Sequence, residues 1–198
     1  TRIIEVQQNG SGGEVVWEWN MLDRFIQYVD ASKPNYMPIA EHPERMNINV
    51  AIQGGGGPGG GGDWFHSNGI DYNEGLDQIA FSSRYASEIF VIDHSTTTAE
   101  AAGHSAGNAG KGGDFLFRWG KPANYGTMGT QTIAGAVHDV RWIKDGRPNA
   151  GYLQFVNNVG GPSGNTVIDA IDPPLNGYNY DRTPNTAFGP TVYDWRHV

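Results

Sequence analysis

An all-β fold is what this sequence predicts, on three observations. Glycine occurs 29 times in 198 residues, about twice the ordinary usage of roughly 7%, so turns are frequent. Aromatic residues make up 12% of the chain, and the area they bury offsets ordering entropy, which sets the sequence apart from a disordered one. Short apolar runs also close three times on the same ending: Val16-Trp17-Glu18-Trp19, Leu116-Phe117-Arg118-Trp119 and Val192-Tyr193-Asp194-Trp195. Each is apolar, aromatic, charged, Trp.

The elements follow in order. Ile3-Ile4-Glu5-Val6 is a strand, turned by Gln8-Asn9-Gly10, and Gly12-Gly13 leads into the strand that ends at Trp19. Residues 25–62 read as an irregular insert. Its first part carries Pro34, Pro38 and Pro43, with one helical turn expected near 23–29, and its second part, 54–62, is a glycine-rich hinge that cannot pack a core. His66 opens a strand that turns at Asn73-Glu74-Gly75 and returns as Gln78-Ile79-Ala80-Phe81. Ile89-Phe90-Val91-Ile92-Asp93 is the next strand, and residues 95–112 form a polar loop insert, helical over 98–102. After Trp119 the pattern repeats: His138 opens a strand, Asp145-Gly146-Arg147-Pro148 turns it, and Tyr152-Leu153-Gln154-Phe155 returns. Val167-Ile168-Asp169-Ala170-Ile171-Asp172 then precedes the last aromatic-x-Trp, with Gly177 in the loop between.

Four antiparallel strands per repeat is the composition of a β-propeller blade. The spacing from Trp19 to Trp119 is 100 residues and from Trp119 to Trp195 is 76, longer than the roughly 40–50 of regular blades, so the inserts make the propeller irregular. Three repeat endings are too few to close a ring of about four to eight blades. Residues 1–198 are therefore expected to be one domain, part of a larger propeller. The sequence starts at Thr1 and shows no signal peptide, which suggests a processed or truncated N-terminus.

The net charge is -8, from 13 basic and 21 acidic residues, with Lys and Arg unclustered. No nucleic-acid footprint is expected, nor an acidic membrane surface. The absence of cysteine excludes a disulfide framework and a thiolate metal site. No apolar run approaches the roughly 20 residues of a membrane-spanning helix.

In a propeller the innermost strands line a central channel, so equivalent positions on different blades converge. Placed at equivalent positions, His66 and His138 would face one axial pocket. Asn68 keeps the side of its strand that His66 occupies, by the period of two, and Arg84 at the end of the partner strand reaches the same mouth. Two imidazoles, an amide donor and a guanidinium suit a tetrahedral oxyanion such as sulfate or phosphate. Read singly, each has a plainer role: His66 as a cap, Asn68 as a turn residue, Arg84 as a solvated loop end. His42 lies in a Pro-flanked loop, His94 and His104 in the polar insert and His197 at the terminus; of these, His94 and His104 could bind a metal but have no Cys or carboxylate company at a diagnostic spacing. The glycine run lacks the Lys-Ser/Thr of a phosphate-binding loop.

Several stretches resemble the bacterial arylsulfate sulfotransferase family: Asp63-Trp64-Phe65-His66-Ser67-Asn68, Leu76-Asp77-Gln78-Ile79, Ser82-Ser83-Arg84, Val91-Ile92-Asp93-His94-Ser95-Thr96-Thr97-Thr98, Lys111-Gly112-Gly113-Asp114, Arg118-Trp119-Gly120 and Val137-His138-Asp139-Val140. The similarity runs from about Thr1 to Trp195 and is densest from Asp63 to Trp142. It implies a six-bladed propeller, of which this chain covers roughly half, in a periplasmic or secreted protein that uses no nucleotide donor. It also implies transfer of a sulfuryl group from a phenolic sulfate donor to a phenolic acceptor, with no cofactor, no metal and no nucleic acid, in a setting compatible with a homo-oligomer. On the matching positions, His138 is the nucleophile that becomes transiently sulfated, while His66, Asn68 and Arg84 hold the sulfuryl oxygens. Two departures stand out. A further active-site His of the family falls on an earlier blade and has no counterpart before Ile3, and Tyr85 replaces a second His found after the Arg in many members. The rivals are a non-enzymatic secreted propeller, acting as scaffold or ligand-binding module, and aryl sulfate hydrolysis.

Overall fold

A computed structural model of the chain describes residues 1–50, 63–131, 133 and 136–198; the expected glycine hinge at 54–62 lies outside these residues. Gly10, at φ +59°, supplies the left-handed turn that joins β1 (Arg2–Asn9) to β2 (Gly12–Asn20) in an antiparallel hairpin. A 3₁₀ turn over Met21–Arg24 follows, capped by Asn20, whose Oδ1 accepts from the Leu22 N–H at 3.1 Å. The helical turn expected near 23–29 sits here instead. Gln27 forecloses a later one, because its Oε1 accepts from the N–H of Val29 and of Asp30, both at 2.8 Å. The described part of the 25–62 insert contributes only β3 (Phe25–Ile26) and β4 (Met46–Asn47), a short parallel pair.

The second sheet is an antiparallel meander of β5 (Ser67–Asn73), β6 (Gln78–Ser83), β7 (Glu88–Asp93) and β8 (Phe115–Trp119), in that spatial order. Between the last two lies α1 (Thr98–Ala101), held by a capping box of Thr97 and Glu100. Every residue of β6, β7 and β8 is buried, as a sheet covered on both faces requires. The third sheet takes β9 (Val137–Trp142), β10 (Leu153–Asn157) and β11 (Val167–Ile171) in the same way. The hairpin of β12 (Leu175–Asn176) and β13 (Asn179–Tyr180) intervenes before β14 (Trp195–His197) completes the sheet beside β11.

Two cores result. Trp19, Met21, Phe65, Phe81, Phe90 and Phe115 pack between the β1–β2 hairpin and the second sheet. Phe117, Trp119, Val140, Trp142, Leu153 and Phe155 pack between the second and third sheets. Ile3 faces Trp19 as Ile89 faces Trp119, so the hairpin repeats the geometry of β7 and β8. The likeness extends to the indoles: Trp19 Nε1 donates to the Gly113 carbonyl at 2.7 Å and Trp119 Nε1 to the Pro190 carbonyl at 2.6 Å. Each Trp thus docks onto the segment that leads into the next sheet's outer strand. Trp195 departs from the expected equivalence. It opens β14 rather than closing it, pairs with Ala170 and is 46% exposed, because Arg196 behind it is drawn to buried Asp169 at 2.6 and 2.8 Å.

The second sheet is locked to its inserts by a fully buried ion pair. Arg118 meets Glu88 in a two-pronged contact of 2.9 and 2.6 Å and donates to the Arg45 carbonyl at 2.9 Å. Its guanidinium lies 4.5 Å from the centre of the Tyr125 ring. Asn124 Nδ2 completes Glu88 at 2.7 Å. Breaking such a pair from one side leaves an uncompensated buried charge. We therefore expect Glu88→Gln to cost about 3–5 kcal/mol, read as a lower denaturant midpoint. An Arg118→Met/Glu88→Leu double variant should recover most of that loss.

Candidate active site

β5 and β9 run against each other without side chains between them at one point. A Cβ on Gly69 would lie 2.7 Å from the Asp139 nitrogen and 2.8 Å from that of Val140, so only glycine permits this approach. Both strands are irregular there. β5 slips register between Ser67 and Gly69, and β9 does so opposite Gln154 and Val156. Such bulges re-aim side chains. Asn68 sits in the first of them. Its Nδ2 donates to the Val137 carbonyl at 2.7 Å, and its Oδ1 accepts from Ser82 Oγ at 2.8 Å. The amide orientation is set by both partners, and the bond ties it to the residue before His138.

His66 and His138 do not occupy register-equivalent positions. His66 immediately precedes β5, whereas His138 is the second residue of β9; the counterpart of His66 is Ala136. Both of those turns are left-handed, with φ 53° at His66 and 57° at Ala136. Non-glycine residues in that region hold about 1–3 kcal/mol of strain each.

The two imidazoles are nonetheless held alike. His66 Nδ1 contacts the Asp63 carboxylate, and the same carboxylate accepts from the His66 backbone N–H at 3.0 Å. His138 Nδ1 donates to the Ala136 carbonyl at 2.8 Å. The side-chain amide nitrogen of Asn158 lies 2.9 Å from the same Nδ1; turning that amide over would put its oxygen there and let it share the Nδ1–H. In both rings Nδ1 is taken, which leaves Nε2 as the open nitrogen. Among the described residues neither Nε2 has a hydrogen-bond partner.

Arg84 is exposed, and its guanidinium has no ion-pair partner among the described residues. It rests 5.7 Å from the centre of the Tyr85 ring, and that ring lies 5.0 Å from the ring of His66. The Arg84 N–H donates to the His66 carbonyl at 3.0 Å, which holds the loop ends together. Tyr85 thus stands between the imidazole and the guanidinium. The structure brings His66, Asn68 and Arg84 to one end of the second sheet, with His138 across the Gly69 contact.

Three residues at this rim carried no role in the sequence reading: Asp63, Tyr85 and Asn158. Asp63, three residues before His66, has the spacing of a side-chain-to-backbone turn, a signal available in advance. Asn158 arrives from beyond a strand and has none. His94 and His104 each meet a carboxylate distant in sequence, Asp77 and Asp114, at 2.7 and 2.9 Å, company that sequence spacing did not reveal; His42 meets Glu44, two residues on, at 2.8 Å. Among the described residues no group of three or more His, Cys, Asp or Glu side chains is placed to hold a metal ion, and no helix is long and apolar enough to cross a membrane.

The Gly69 contact is open to a direct test. Gly69→Ala should push β5 from β9 at a cost of about 1–3 kcal/mol. It should also break the Asn68–Val137 bond, seen as loss of the shifted Asn68 side-chain amide resonances. A variant with wild-type stability and unchanged Asn68 signals would show that the strands tolerate a wider seam.

Searches of the curated proteins and of the solved structures return no match. A family model described as Arylsulfotransferase (ASST) matches residues 2–170, from β1 into β11. The match takes in both strands of the Gly69 contact and all four residues considered above. Over most of its length, therefore, the chain belongs to the arylsulfotransferase (ASST) family.

Proposed function

We propose that this protein moves a sulfuryl group from a phenolic sulfate to a phenolic acceptor, with His138 as the nucleophile. Membership of the family supports sulfur-group transfer in general. The observation that supports the finer reading is the Asn68–Val137 bond, which joins the strand that follows His66 to the residue before His138. We also propose that residues 1–198 form one partial propeller domain, interrupted by the inserts at 25–62 and 95–112, in a periplasmic or secreted protein. The repeated indole-to-carbonyl docking of Trp19 and Trp119 supports consecutive blades.

The steps follow from the tautomers. His138, with Nδ1–H donated to Ala136, carries its lone pair on Nε2. Attack forms the Nε2–S bond and breaks the S–O bond to the aryl group, whose oxygen leaves with the electron pair. Phenols ionise near pH 10, so the leaving group needs little assistance. His66, backed by Asp63, gives that oxygen a proton and later takes one from the acceptor hydroxyl, which attacks sulfur and frees His138. Asn68 has a second amide hydrogen to spare, and Arg84 a free fork of donors; both suit the equatorial oxygens of the sulfuryl group.

His138→Ala should abolish transfer, because it removes the two-step route altogether. Asn68→Ala should lower the rate by on the order of 10²–10³, the loss of one oxyanion donor. After exposure to donor alone, mass spectrometry should find an added sulfuryl group on the peptide holding Val137-His138-Asp139, and steady-state kinetics should be ping-pong. An active His138→Ala variant would remove this mechanism. Release of phenol at the same rate with and without an acceptor phenol would turn the reading to hydrolysis.

Asp63→Asn should leave the fold intact and lower the transfer rate by on the order of 10² or more, since the amide no longer fixes the orientation and tautomer of the His66 ring. Unchanged kcat would remove His66 from proton transfer.

A further inference from the structure

The two asparagine side chains beside the histidines are held in opposite ways. Asn68 is fixed at both ends, its amide nitrogen donating to Val137 and its oxygen accepting from Ser82. The Asn158 amide has one partner among the described residues, the His138 ring. Its backbone, by contrast, is tied down. The Asn158 carbonyl accepts from Thr166 Oγ1 at 3.1 Å. Two residues on, the Gly160 carbonyl accepts from Arg196 Nη1 at 2.7 Å, and Arg196 is itself anchored on buried Asp169 at 2.6 and 2.8 Å. The turn therefore presents a half-buried amide whose base is fixed and whose last bond can rotate.

That rotation matters because of what surrounds Nδ1. The Ala136 carbonyl at 2.8 Å needs a proton on this nitrogen, whereas an amide NH₂ at 2.9 Å needs a lone pair there. One nitrogen cannot satisfy both. With the amide oxygen toward the ring, both neighbours accept the same N–H and Nε2 keeps its lone pair. With the amide nitrogen toward the ring, the proton sits on Nε2 and the Ala136 carbonyl loses its donor. Only the first arrangement satisfies every group. Asp139, the nearest carboxylate in sequence, is taken by Arg141 at 2.7 Å, so these two carbonyl oxygens are what faces any charge on the Nδ1 side of the ring. We propose that Asn158 is a positioning residue for His138: its amide oxygen keeps the proton on Nδ1 and stabilises the ring while it carries the sulfuryl group. The part about the sulfuryl group rests on the function proposed above; the part about the proton rests on the contacts alone. Bond formation from Nε2 to sulfur leaves the ring cationic with the Nδ1 proton still in place, as the aryl oxygen departs with the S–O electron pair. Hydrogen bonds from a charged donor are shorter and stronger than those from a neutral one, so the Asn158 contact tightens on sulfation. Retaining the proton also serves the return step. The acceptor oxygen then displaces a neutral imidazole from sulfur, whereas loss of the proton would demand an imidazolate leaving group.

Nitrogen NMR of the His138 ring tests the placement of the proton. The wild type should show a protonated Nδ1 and a bare Nε2. Asn158→Ala should give a mixture of tautomers, with the two signals drawn toward each other, and Asn158→Asp, which offers acceptors only, should restore the wild-type pattern. Stabilisation of the sulfated ring is read from the half-reaction at about pH 9, where free imidazole is neutral. The protein is equilibrated with phenyl sulfate and phenol at set ratios, and the sulfated fraction is measured by intact mass. Asn158→Ala should lower the equilibrium constant for sulfation by roughly 10- to 100-fold, the range of one hydrogen bond to a charged group. Asn158→Asp should raise it above wild type, an effect that a residue supporting only the turn would not give. A wild type protonated at Nε2, or a sulfation constant no higher in Asn158→Asp than in Asn158→Ala, would overturn the proposal. Absence of sulfate on wild-type His138 would overturn the nucleophile reading and the stabilisation with it, while the ring signals still decide whether Asn158 holds the proton.

Discussion

The arrangement of the rim depends on a missing atom. Because Gly69 has no Cβ, the backbone of β5 reaches the amides of Asp139 and Val140, and the two sheets meet there without a spacer. Everything proposed for the site follows from that closeness. The Asn68 amide can reach the Val137 carbonyl only across a seam this narrow. Both strands bulge to accommodate it, and the left-handed residues His66, Ala136 and Asp139 are gathered within the same two turns. Strain of this kind persists where the surroundings over-determine it. Here the surroundings are the Asp63 turn, the Ser82–Asn68 bond and the Arg84–His66 backbone bond.

The opposite side of the second sheet is built for rigidity. Arg118 and Glu88 are fully buried and satisfied by each other, by Asn124 and by two carbonyls of the 43–45 segment. A buried pair of this sort is weak evidence of net stability, but it admits few alternative arrangements of the inserts. Arg24 plays a comparable part for the 95–112 loop, donating to Asp114, Gly103 and Ala101 while wholly buried. The inserts, which break the repeat in sequence, are thereby fastened to the outer strands, and the inner strands β5 and β9 remain free to shape the rim.

The two imidazoles show how one chemical end is reached by different local means. His66 is oriented by a carboxylate three residues earlier, His138 by a carbonyl two residues earlier and by Asn158. Each leaves Nε2 as the free nitrogen, yet only His66 has an anion behind it. In the mechanism proposed above, that difference separates the proton carrier from the nucleophile, and it rests on the partner of Nδ1 rather than on the position of the ring in its strand.

Much of the fold was legible in the sequence. Alternating apolar runs with glycine turns marked the strands that became β1, β2, β5 to β11, because local turn chemistry and the period of two are properties of short stretches. The aromatic-x-Trp endings announced Trp19 and Trp119 as outer-strand anchors. They misplaced Trp195, since the pull of buried Asp169 on Arg196 is a contact over 27 residues that no ending can encode. His66, Asn68, Arg84 and His138 were readable as a set through their spacing and the family pattern. What only the tertiary structure decided was how each is held. The offset between His66 and His138, the Asn68–Val137 bond and the part of Asn158 arise where segments distant in sequence touch. Sequence determines which groups a strand carries; the separation of strands, set here by a glycine, determines which of those groups share a site.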